Sequence, residues 1–427
     1  MKTPKSEVFW YKALTPTYKT LESDITVDVV VVGGGMAGLS AAEKLRHYGF
    51  SVTLVEKDFC GAGASGKTSG FITPDSELEL SDLIRNYGQE EGRKLWEFAK
   101  TGVAHIKSNI EKYNLSCDYQ VQDSLFIASH KKGWSIVEEE HVAHDSQGYK
   151  NTLYAEKTVQ GVIGSASYFG AIQYPNTFGI NSFAYCQGMK QELIKQGVSV
   201  FEKTSVTHVT GGKVTTEKYT ISAKYVVVCA DRFMPSLSVA KPSVYSAQTF
   251  LAVSKPLSDA QVKMMFPERK FMVWDTELIY QYFRITGDKR LLLGAASMFY
   301  TYLPFELRRS KRVLRKMYKY LRKRFPGLEV EFEYMWPGLI GVSKDFVPIA
   351  GESKEFPGLY FAGAGAGLPW SAALGIYVAE KIVSGRKDFD QVFSEKRQFT
   401  IQGWVQKLIT KPIAFALSHG FAKYFKK

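Results

Sequence analysis

The chain has 427 residues, enough for two hydrophobic cores, because a single core stops growing near about 250–300 residues. Hydrophobic residues make up 45% of the sequence and charged residues 23%, a balance that excludes extended disorder. The net charge of +13 is mostly local, since a large share of it falls within residues 308–324. We therefore expect an ordered protein of two domains.

The first ten residues lack the apolar run of a signal peptide. Nowhere in the chain do about 18 uncharged apolar residues follow one another. A cytoplasmic location is therefore predicted. Cys60, Cys117, Cys186 and Cys229 are scattered without a CxxC pair or a Cys/His cluster, which argues against a disulfide framework and against a zinc site.

The first elements in chain order are those of a βαβ unit. Residues 27–32 are a nearly continuous run of valines, typical of a buried strand. Apolar residues at helical spacing predict a helix over residues 36–48, and Gly49 is its end signal. A second strand is predicted over residues 51–55.

The glycines between strand and helix indicate a dinucleotide site. Gly33 permits a tight turn, Gly35 lets the backbone approach a pyrophosphate, and Gly38 lets the helix lie close to the strand. The helix N-terminus offers N–H groups to the phosphates. Glu56, at the end of the second strand, is placed to accept hydrogen bonds from a ribose diol, and its charge disfavours NADP.

A second glycine-rich stretch, residues 61–68, matches the phosphate-loop pattern GxxxxGK[ST]. A phosphate loop must run directly into a helix. Here Thr68 is followed by a Ser-Gly-Phe-Ile-Thr stretch and Pro74, which cannot sustain one. We therefore do not interpret this stretch as the site of an ATPase.

Two basic segments occupy the last third of the chain. Residues 308–324 contain ten Lys and Arg and no acidic residue, with apolar residues at helical spacing, which predicts an amphipathic helix. Its basic face is interpreted first as solvated, with an anionic membrane or RNA as alternatives. Residues 404–427 are apolar and basic by turns, interrupted by Pro412 and Gly420, and would dock on the protein itself or on a membrane.

Taken together, residues 28–38, Glu56 and residues 61–70 resemble the FAD-dependent D-amino-acid oxidase superfamily, in its gamma-glutamylputrescine oxidase branch. The resemblance spans about residues 20 to 395. It implies an α/β chain, α+β overall, in which a mixed-sheet substrate domain is inserted into a Rossmann-like FAD-binding domain. The implied ranges are 22–105, 185–240 and 330–395 for the FAD domain, 106–184 and 241–329 for the substrate domain, and 396–427 for an amphipathic basic tail.

The resemblance also implies the cofactor contacts, with Val206 near the adenine and Ala230 after a later strand of the FAD domain. The implied FAD-binding residues are Gly33, Gly35, Met36, Ala37, Gly38, Glu56, Lys57, Ala64, Ser65, Ser69, Gly70, Phe71, Val206, Ala230, Gly363, Gly365, Gly367 and Leu368. A helix with Pro369 in its first turn is predicted next, and its N-terminus can stabilise negative charge on a reduced flavin. The positions that tether flavin in related enzymes hold no histidine or cysteine here, so non-covalent FAD is expected.

The resemblance is informative on the substrate side as well. Residues 280–284 are similar to the segment of glycine oxidase that carries a substrate-facing tyrosine, with Tyr280 in that place and Tyr282 beside it. Ordinary strand packing explains both tyrosines equally well, and Arg284 is divided between a cofactor role and a structural ion pair. Ile340 stands where amino-acid oxidases of the superfamily place an arginine for the substrate carboxylate, which favours an amine substrate.

The function implied is oxidation of a C–N bond in a small amine, gamma-glutamylputrescine or another primary or secondary amine, by hydride transfer to FAD. The electron acceptor would be O2 or another compound. Two alternatives stay open: a tRNA-modification enzyme of the same fold, and a membrane-associated dehydrogenase linked to quinones. Contact with nucleic acid is not expected in the favoured interpretation, whereas peripheral membrane contact through the basic tail is.

Overall fold

Two eight-stranded sheets and one three-stranded sheet organise the chain. The computed structural model describes residues 3–75, 77–241, 243–297, 305–308, 310–365 and 367–397, together with residues 413, 416 and 417. Nearly all of the basic tail, including residues 404–412, therefore lies outside the described residues.

The first sheet is built on the valine run near the amino terminus. Its strands are β1 (Ile25–Val32), β2 (Val52–Val55), β9 (Ser199–Phe201), β10 (Val206–Val209), β11 (Lys213–Thr216), β12 (Thr220–Val228), β18 (Ile349–Glu352) and β19 (Leu359–Gly363). The order is β10-β11-β12-β1-β2-β9, with β19 beside β12 and β18 beside β19. Because β1 pairs in parallel with both β2 and β12, its last four valines are buried.

The second sheet is mixed, as predicted for the inserted part of the chain. Its strands are β5 (Ser124–Ile127), β6 (Thr152–Ala155), β7 (Gly170–Tyr174), β13 (Tyr245–Pro256), β14 (Met272–Asp275), β15 (Tyr282–Ile285), β16 (Arg290–Ala295) and β17 (Phe332–Val342). The order is β17-β13-β16-β15-β14-β5-β7-β6, and β14 pairs in parallel with β5. Strand β15 begins at Tyr282, after a turn at residues 278–279, so Tyr280 precedes the strand.

The third sheet and the helices complete the fold. The small sheet has the order β3-β8-β4, with bounds β3 (Phe71–Ile72), β4 (Gln120–Val121) and β8 (Phe178–Gly179). The helices are α1 (Met36–His47), α2 (Leu80–Tyr87), α3 (Gln89–Tyr113), α4 (Gly133–Ser146), α5 (Glu156–Val162), α6 (Ser182–Lys195), α7 (Asp259–Met265), α8 (Lys311–Arg324) and α9 (Leu368–Ser384). Among the described residues, no helix combines the length and the apolar character that a membrane span needs.

Helix α8 is the amphipathic basic helix. Val313, Met317 and Leu321 on its apolar face are buried in the core of the second sheet. Lys316 turns inward, and its Nζ donates to the carbonyl groups of Ile279 and Ala296 at 3.2 and 3.1 Å. The other face exposes six basic residues, namely Lys311, Arg312, Arg315, Lys319, Arg322 and Lys323. The interpretation as a helix packed on the protein's own core is therefore confirmed for its apolar face.

Two of the expected domain boundaries shift. The boundary at residue 106 falls inside α3, a continuous helix whose Ile106 and Ile110 pack in the first core. The boundary at residue 330 places β17 with the FAD domain, whereas β17 pairs with β13 along its length and so belongs to the second sheet. We keep the two-domain division as a proposal, with these boundaries moved to the end of α3 and the end of β17.

All four cysteines are buried and unpaired. Burial raises the pKa of Cys117, Cys186 and Cys229 to about 12, and it also raises the pKa of Cys60. Because a thiol reacts as its thiolate, these side chains act as small apolar core residues.

Candidate functional site

The turn between β1 and α1 has the geometry of a dinucleotide site. Gly33 has a φ of +112°, and a Cβ there would lie against the carbonyl oxygen of Cys229, the residue that follows β12. A Cβ at Gly38 would overlap the carbonyl oxygen of Gly33, so only glycine lets α1 start this close to β1. Gly35 is the N-cap and supplies no side-chain cap. Apart from the N–H of Met36, which donates to Ser65 Oγ, the first N–H groups of the helix are available to an anionic group.

Glu56 extends from the carboxyl end of β2 to this turn. Its Oε2 accepts from the backbone N–H of Gly34 at 2.8 Å, and its Oε1 accepts from that of Asp58 at 2.9 Å. Burial raises the pKa of Glu56. Each carboxylate oxygen keeps a further lone pair, so the pair can still accept from the two hydroxyl groups of a ribose.

The neighbouring Lys57 turns to an aromatic ring. Its Nζ lies 3.3 Å from the ring centre of Phe233, and the guanidinium carbon of Arg232 lies 4.0 Å from the same centre. Burial lowers the pKa of Lys57, and the charge of Arg232 lowers it further. Val206 begins β10 close by, where the N–H of Thr204 donates to the carbonyl of Glu56 at 2.9 Å.

Residues 61–70, the glycine loop, pack against the start of α1. The loop contains a short 3₁₀ turn, Ala64–Lys67, and then enters β3, so the helix that a phosphate loop requires does not follow it. The Oγ of Ser65 accepts from the N–H of Met36 at 2.9 Å. Gly70 has a φ of +73°, and a Cβ there would overlap the carbonyl oxygen of Ile180.

The third glycine segment leads from β19 into α9. Gly367 has a φ of +97° and is the N-cap of α9, with Pro369 in the first turn as predicted. A Cβ at Gly375 would overlap the carbonyl oxygen of Ala37, which shows how closely α9 lies on α1. Gly363 lies beside Asp231 at the end of β12. The three glycine segments, and Ala230 with them, therefore meet at the carboxyl ends of the parallel strands.

One face of the second sheet forms an aromatic row towards this region. Phe126, Trp274, Tyr282, Leu251 and Trp336 lie in register across the sheet. The ring of Tyr282 lies above a strand position that only a glycine leaves free, since a Cβ at residue 294 would overlap it.

The aromatic row joins the glycine loop through Phe71. The ring centres of Phe71 and Tyr282 are 6.0 Å apart and those of Tyr280 and Tyr282 are 5.5 Å apart. Trp370, in the first turn of α9, donates from Nε1 to the carbonyl of Pro74 at 3.0 Å. The segment that follows the glycine loop thus runs from the start of α9 to the two candidate tyrosines.

Carboxylates that the sequence analysis did not single out lie along this segment. The hydroxyl of Tyr280 donates to Glu77 at 3.0 Å, and the hydroxyl of Tyr282 donates to Thr249 at 3.4 Å. Burial raises the pKa of Tyr282 to about 12 and that of Tyr280 well above its usual value. Both tyrosines are therefore protonated donors at neutral pH and cannot act as bases.

Asp75 and Glu79 flank Glu77, and the alternation Asp-x-Glu-x-Glu was the signal that could have revealed them. Burial raises the pKa of Asp75 to about 7, although a hydrogen bond from Thr73 opposes the shift. Glu79 is the N-cap of α2 and accepts from Trp274 at 3.0 Å and from Tyr174 at 3.1 Å. Glu79 thus has a structural role, whereas Asp75 and Glu77 face the tyrosine side of the segment.

Arg284 and Ile340 are the two remaining residues that the sequence singled out on the substrate side. Arg284 is fully buried, and it bonds the carbonyl oxygens of Ser69 at 2.8 Å and Ile180 at 2.6 Å. Of the two alternatives considered for Arg284, a cofactor role and a structural ion pair, the ion pair is not found among the described residues, where its hydrogen-bond partners are backbone carbonyls. Ile340 lies on β17 opposite Ala247, so an alkyl side chain occupies the position where an arginine was considered.

Comparison with known proteins gives these features a context. The sequence model of a family described as FAD dependent oxidoreductase matches residues 28–381. Over 382 residues the chain is 28% identical to the gamma-glutamylputrescine oxidoreductase of Escherichia coli strain K12, with 87% of each chain covered. Over 369 residues it is 27% identical to the probable oxidoreductase OrdL of Haemophilus influenzae, with 83% of each covered.

A solved structure confirms the fold. The glycine oxidase of Geobacillus kaustophilus superposes with a TM-score of 0.76 at 19% identity, covering 88% of this chain and 99% of that chain. The glycine turn, the uncapped start of α1 and the carboxylate of Glu56 are what a dinucleotide cofactor requires, so the described residues fit FAD.

Proposed function

Because the chain belongs to the family of FAD-dependent oxidoreductases, we propose that it oxidises the C–N bond of a small primary or secondary amine, gamma-glutamylputrescine or a related compound. The family match and the relatives support the wider statement that it is an FAD-dependent enzyme of amine or amino-acid oxidation. The narrower choice of an amine depends on the residues beside the glycine loop.

The observation that carries the proposal is the contact between Tyr280 and Glu77 beside an aromatic row. An α-amino acid would need a cation for its carboxylate, commonly a bidentate arginine. The position considered for that arginine holds Ile340. The carboxyl groups of Glu77 and Asp75 both act electrostatically on Tyr280, and Glu77 also accepts its hydrogen bond. An amine, which carries positive charge when protonated, is the complementary substrate.

Bound FAD would supply the acceptor for a hydride from the carbon next to the amine nitrogen. The amine reacts in its neutral form, so its ammonium proton is lost to solvent before the hydride leaves. The chain's own residues supply position and environment. The aromatic row with Phe71 covers the substrate and excludes water, which strengthens each polar contact. The hydroxyl hydrogens of Tyr280 and Tyr282 are donated to Glu77 and Thr249, so the oxygen lone pairs of the two tyrosines would accept from the N–H groups of the amine and orient it. The resulting imine is hydrolysed in water.

The cofactor contacts are proposed for the residues that the three glycine segments bring together. The start of α1, with Met36 and Ala37, would hold the pyrophosphate, and Glu56 the adenosine ribose. The start of α9 at Leu368 would stabilise the negative charge of reduced flavin through its helix dipole. We propose that binding is non-covalent, in keeping with the absence of histidine from residues 61–70.

The test is anaerobic mixing of the yellow holoenzyme with polyamines, N-acylated diamines, N-methyl amines and amino acids, one at a time. We expect bleaching of the flavin band near about 450 nm by amines and a much slower response to α-amino acids. Faster bleaching by α-amino acids would contradict the choice of substrate. Admitting air afterwards and measuring peroxide separates O2 from another electron acceptor.

Peripheral membrane contact stays a proposal of smaller scope, and so does a cytoplasmic location. The six exposed basic residues of α8 support it through charge, since each basic residue near an anionic bilayer contributes about 1 kcal/mol. Co-sedimentation with vesicles of phosphatidylcholine and phosphatidylglycerol, with and without residues 404–427, tests it. Equal pelleting of both forms would exclude the tail. No observation on the described residues favours the tRNA or quinone alternatives.

A further inference from the structure

Three buried side chains bond three successive carbonyl groups of the glycine loop, those of residues 67–69. Trp336 Nε1 lies 3.0 Å from the first of these oxygens, Trp10 Nε1 lies 2.7 Å from the second, and Arg284 Nε lies 2.8 Å from the third. The donors come from β17, from the amino-terminal segment and from β15. We call this set of three the carbonyl clamp.

The members of the carbonyl clamp are inaccessible to solvent and contact one another. Trp10, Trp336 and Arg284 are 2%, 1% and 0% exposed. The guanidinium carbon of Arg284 lies 5.6 Å from the ring centre of Trp10. Among the described residues, the Nη1 of Arg284 has no hydrogen-bond partner although it is buried, and an unpaired buried donor opposes folding. The hydrogen bonds that Arg284 donates to backbone carbonyls therefore have a role beyond packing.

The amino-terminal segment, residues 3–12, contains Trp10 and also bonds β17, the strand that contains Trp336. The N–H of Lys5 donates to the carbonyl of Glu333 at 2.8 Å, and the N–H of Met335 donates to the carbonyl of Lys5 at 2.9 Å. The hydroxyl of Tyr11 bonds the carbonyl of Ala62 at 2.7 Å. The segment therefore holds the start of β17 and the glycine loop at the same time.

The clamp fixes the direction of the loop's peptide groups. The peptide bonds between described residues are trans, so the N–H that follows each bonded carbonyl points to the opposite side. Each bonded carbonyl thus also fixes the direction of the N–H group that follows it, those of residues 68–70. The N–H of Gly70 is used locally, because it donates to Thr68 Oγ1 at 2.7 Å. Thr68 is extended, with φ −80° and ψ 173°, so the N–H groups of residues 68 and 69 point to different sides of the loop, each in a direction that the clamp holds.

We propose that Trp10, Trp336 and Arg284 are positioning residues, which hold the glycine loop with its peptide dipoles in the direction that bound FAD requires. The amino-terminal segment is then part of the cofactor site, although the contacts it makes are with carbonyl groups of the glycine loop. This inference needs only that the chain binds FAD, and it is independent of the proposed amine substrate.

The test uses Trp10→Phe and Trp336→Phe, which keep an aromatic ring and remove the N–H donor. We expect each variant to bind FAD about tenfold more weakly, measured from the flavin fluorescence released on diluting the holoenzyme. The visible flavin band and the flavin reduction potential of both variants should shift, since the dipoles of the loop are no longer fixed. Apoprotein melting temperatures should stay close to that of the unchanged chain.

Trp134→Phe is the matched control. Trp134 lies on α4 and packs against Gly170, away from the glycine loop. The Trp134→Phe variant should therefore bind FAD as tightly as the unchanged chain. Unchanged FAD affinity and spectra in both clamp variants would overturn the proposal. A loss of FAD-binding free energy no larger than the loss of unfolding free energy of the apoprotein would also overturn it, because that result assigns the side chains to general packing.

Discussion

One methyl group at Gly38 tests whether the close approach of α1 to β1 serves the cofactor. A Cβ there would overlap the carbonyl oxygen of Gly33, so α1 must move away from the turn. Gly38→Ala should therefore be purified with little flavin, at least about tenfold below the usual flavin-to-protein ratio. The ratio is measured from absorbance after gel filtration.

The matched control for this change is Gly161→Ala on α5. A Cβ at Gly161 meets no atom within 4 Å, and alanine is a better helix former than glycine by about 1 kcal/mol. This variant should keep its flavin and melt at the same or a higher temperature. Full flavin content in Gly38→Ala would contradict the role assigned to the turn.

Removing the hydroxyl of Tyr280 tests the substrate side. Tyr280→Phe loses the hydrogen bond to Glu77 and keeps the ring beside Tyr282, so binding of FAD should not change. We expect kcat/KM for the best amine to fall about tenfold, the usual effect of losing one oriented hydrogen bond. Stopped-flow reduction of the flavin measures it. An unchanged rate would mean that Tyr280 serves packing only.

Asp275 predicts a pH dependence of stability. Burial raises its pKa from 3.8 to about 7, although the N–H groups of Glu277 and Gln281 favour the charged form. The folded state therefore binds more protons than the unfolded state between these values. The free energy of unfolding falls as pH rises through this window, by at most about 1.4 kcal/mol per pH unit, and levels off above it.

Asp275→Asn should make the melting temperature less dependent on pH between about 4.5 and 8, because asparagine does not ionise. Part of the slope should remain, since the pKa of Asp75 is raised to about 7 in the same way. Thermal unfolding followed by circular dichroism at several pH values measures both slopes. Identical slopes for the variant and the unchanged chain would contradict the assignment.

At the scale of elements, helix α8 has one buried face and one exposed basic face, and substitutions on the two faces should differ in their effect on stability. Met317 is fully buried in the core of the second sheet, so Met317→Ala should reduce the free energy of unfolding by about 2–5 kcal/mol. Lys319 lies on the exposed basic face, and Lys319→Ala should change it by no more than about 0.5 kcal/mol. Urea unfolding of both variants measures the difference. Equal losses would mean that the basic face also contributes to packing.

Local elements could be predicted from the sequence because their signals are local. The valine run, the glycine turn and α1 lie within a short stretch, and period and end signals determine them. The buried face of α8 follows from helical spacing, and the start of α9 from Pro369. The residues that the turn brings to the dinucleotide site were predictable for the same reason.

Contacts between distant parts of the chain could not be predicted in this way. Glu77 meets Tyr280 across 203 positions, and Trp336 meets the carbonyl of Lys67 across 269. Neither contact has a local period. The place of β17 was also missed, because Pro337 and its neighbouring glycines interrupt the strand pattern although the strand pairs along its length with β13.

For the whole molecule, removal of FAD should lower the melting temperature. A ligand that binds only the folded state stabilises it by about 2.7 kcal/mol at a concentration 100 times its Kd, so the melting temperature should rise with added FAD. Riboflavin lacks the phosphates and ribose assigned to α1 and Glu56 and should stabilise far less. Differential scanning calorimetry of the apoprotein measures both. Equal effects of the two compounds would contradict the dinucleotide site.

The burial of the four cysteines affects how well the enzyme resists oxidation of its own thiol groups. An enzyme that passes electrons to oxygen releases hydrogen peroxide next to its own side chains, and peroxide attacks thiolates. Here each thiol is enclosed in the core and has a raised pKa, so almost none is ionised at neutral pH. With O2 as the acceptor in the proposed function, these cysteines would therefore resist oxidation to sulfenic acid by the peroxide released over many turnovers.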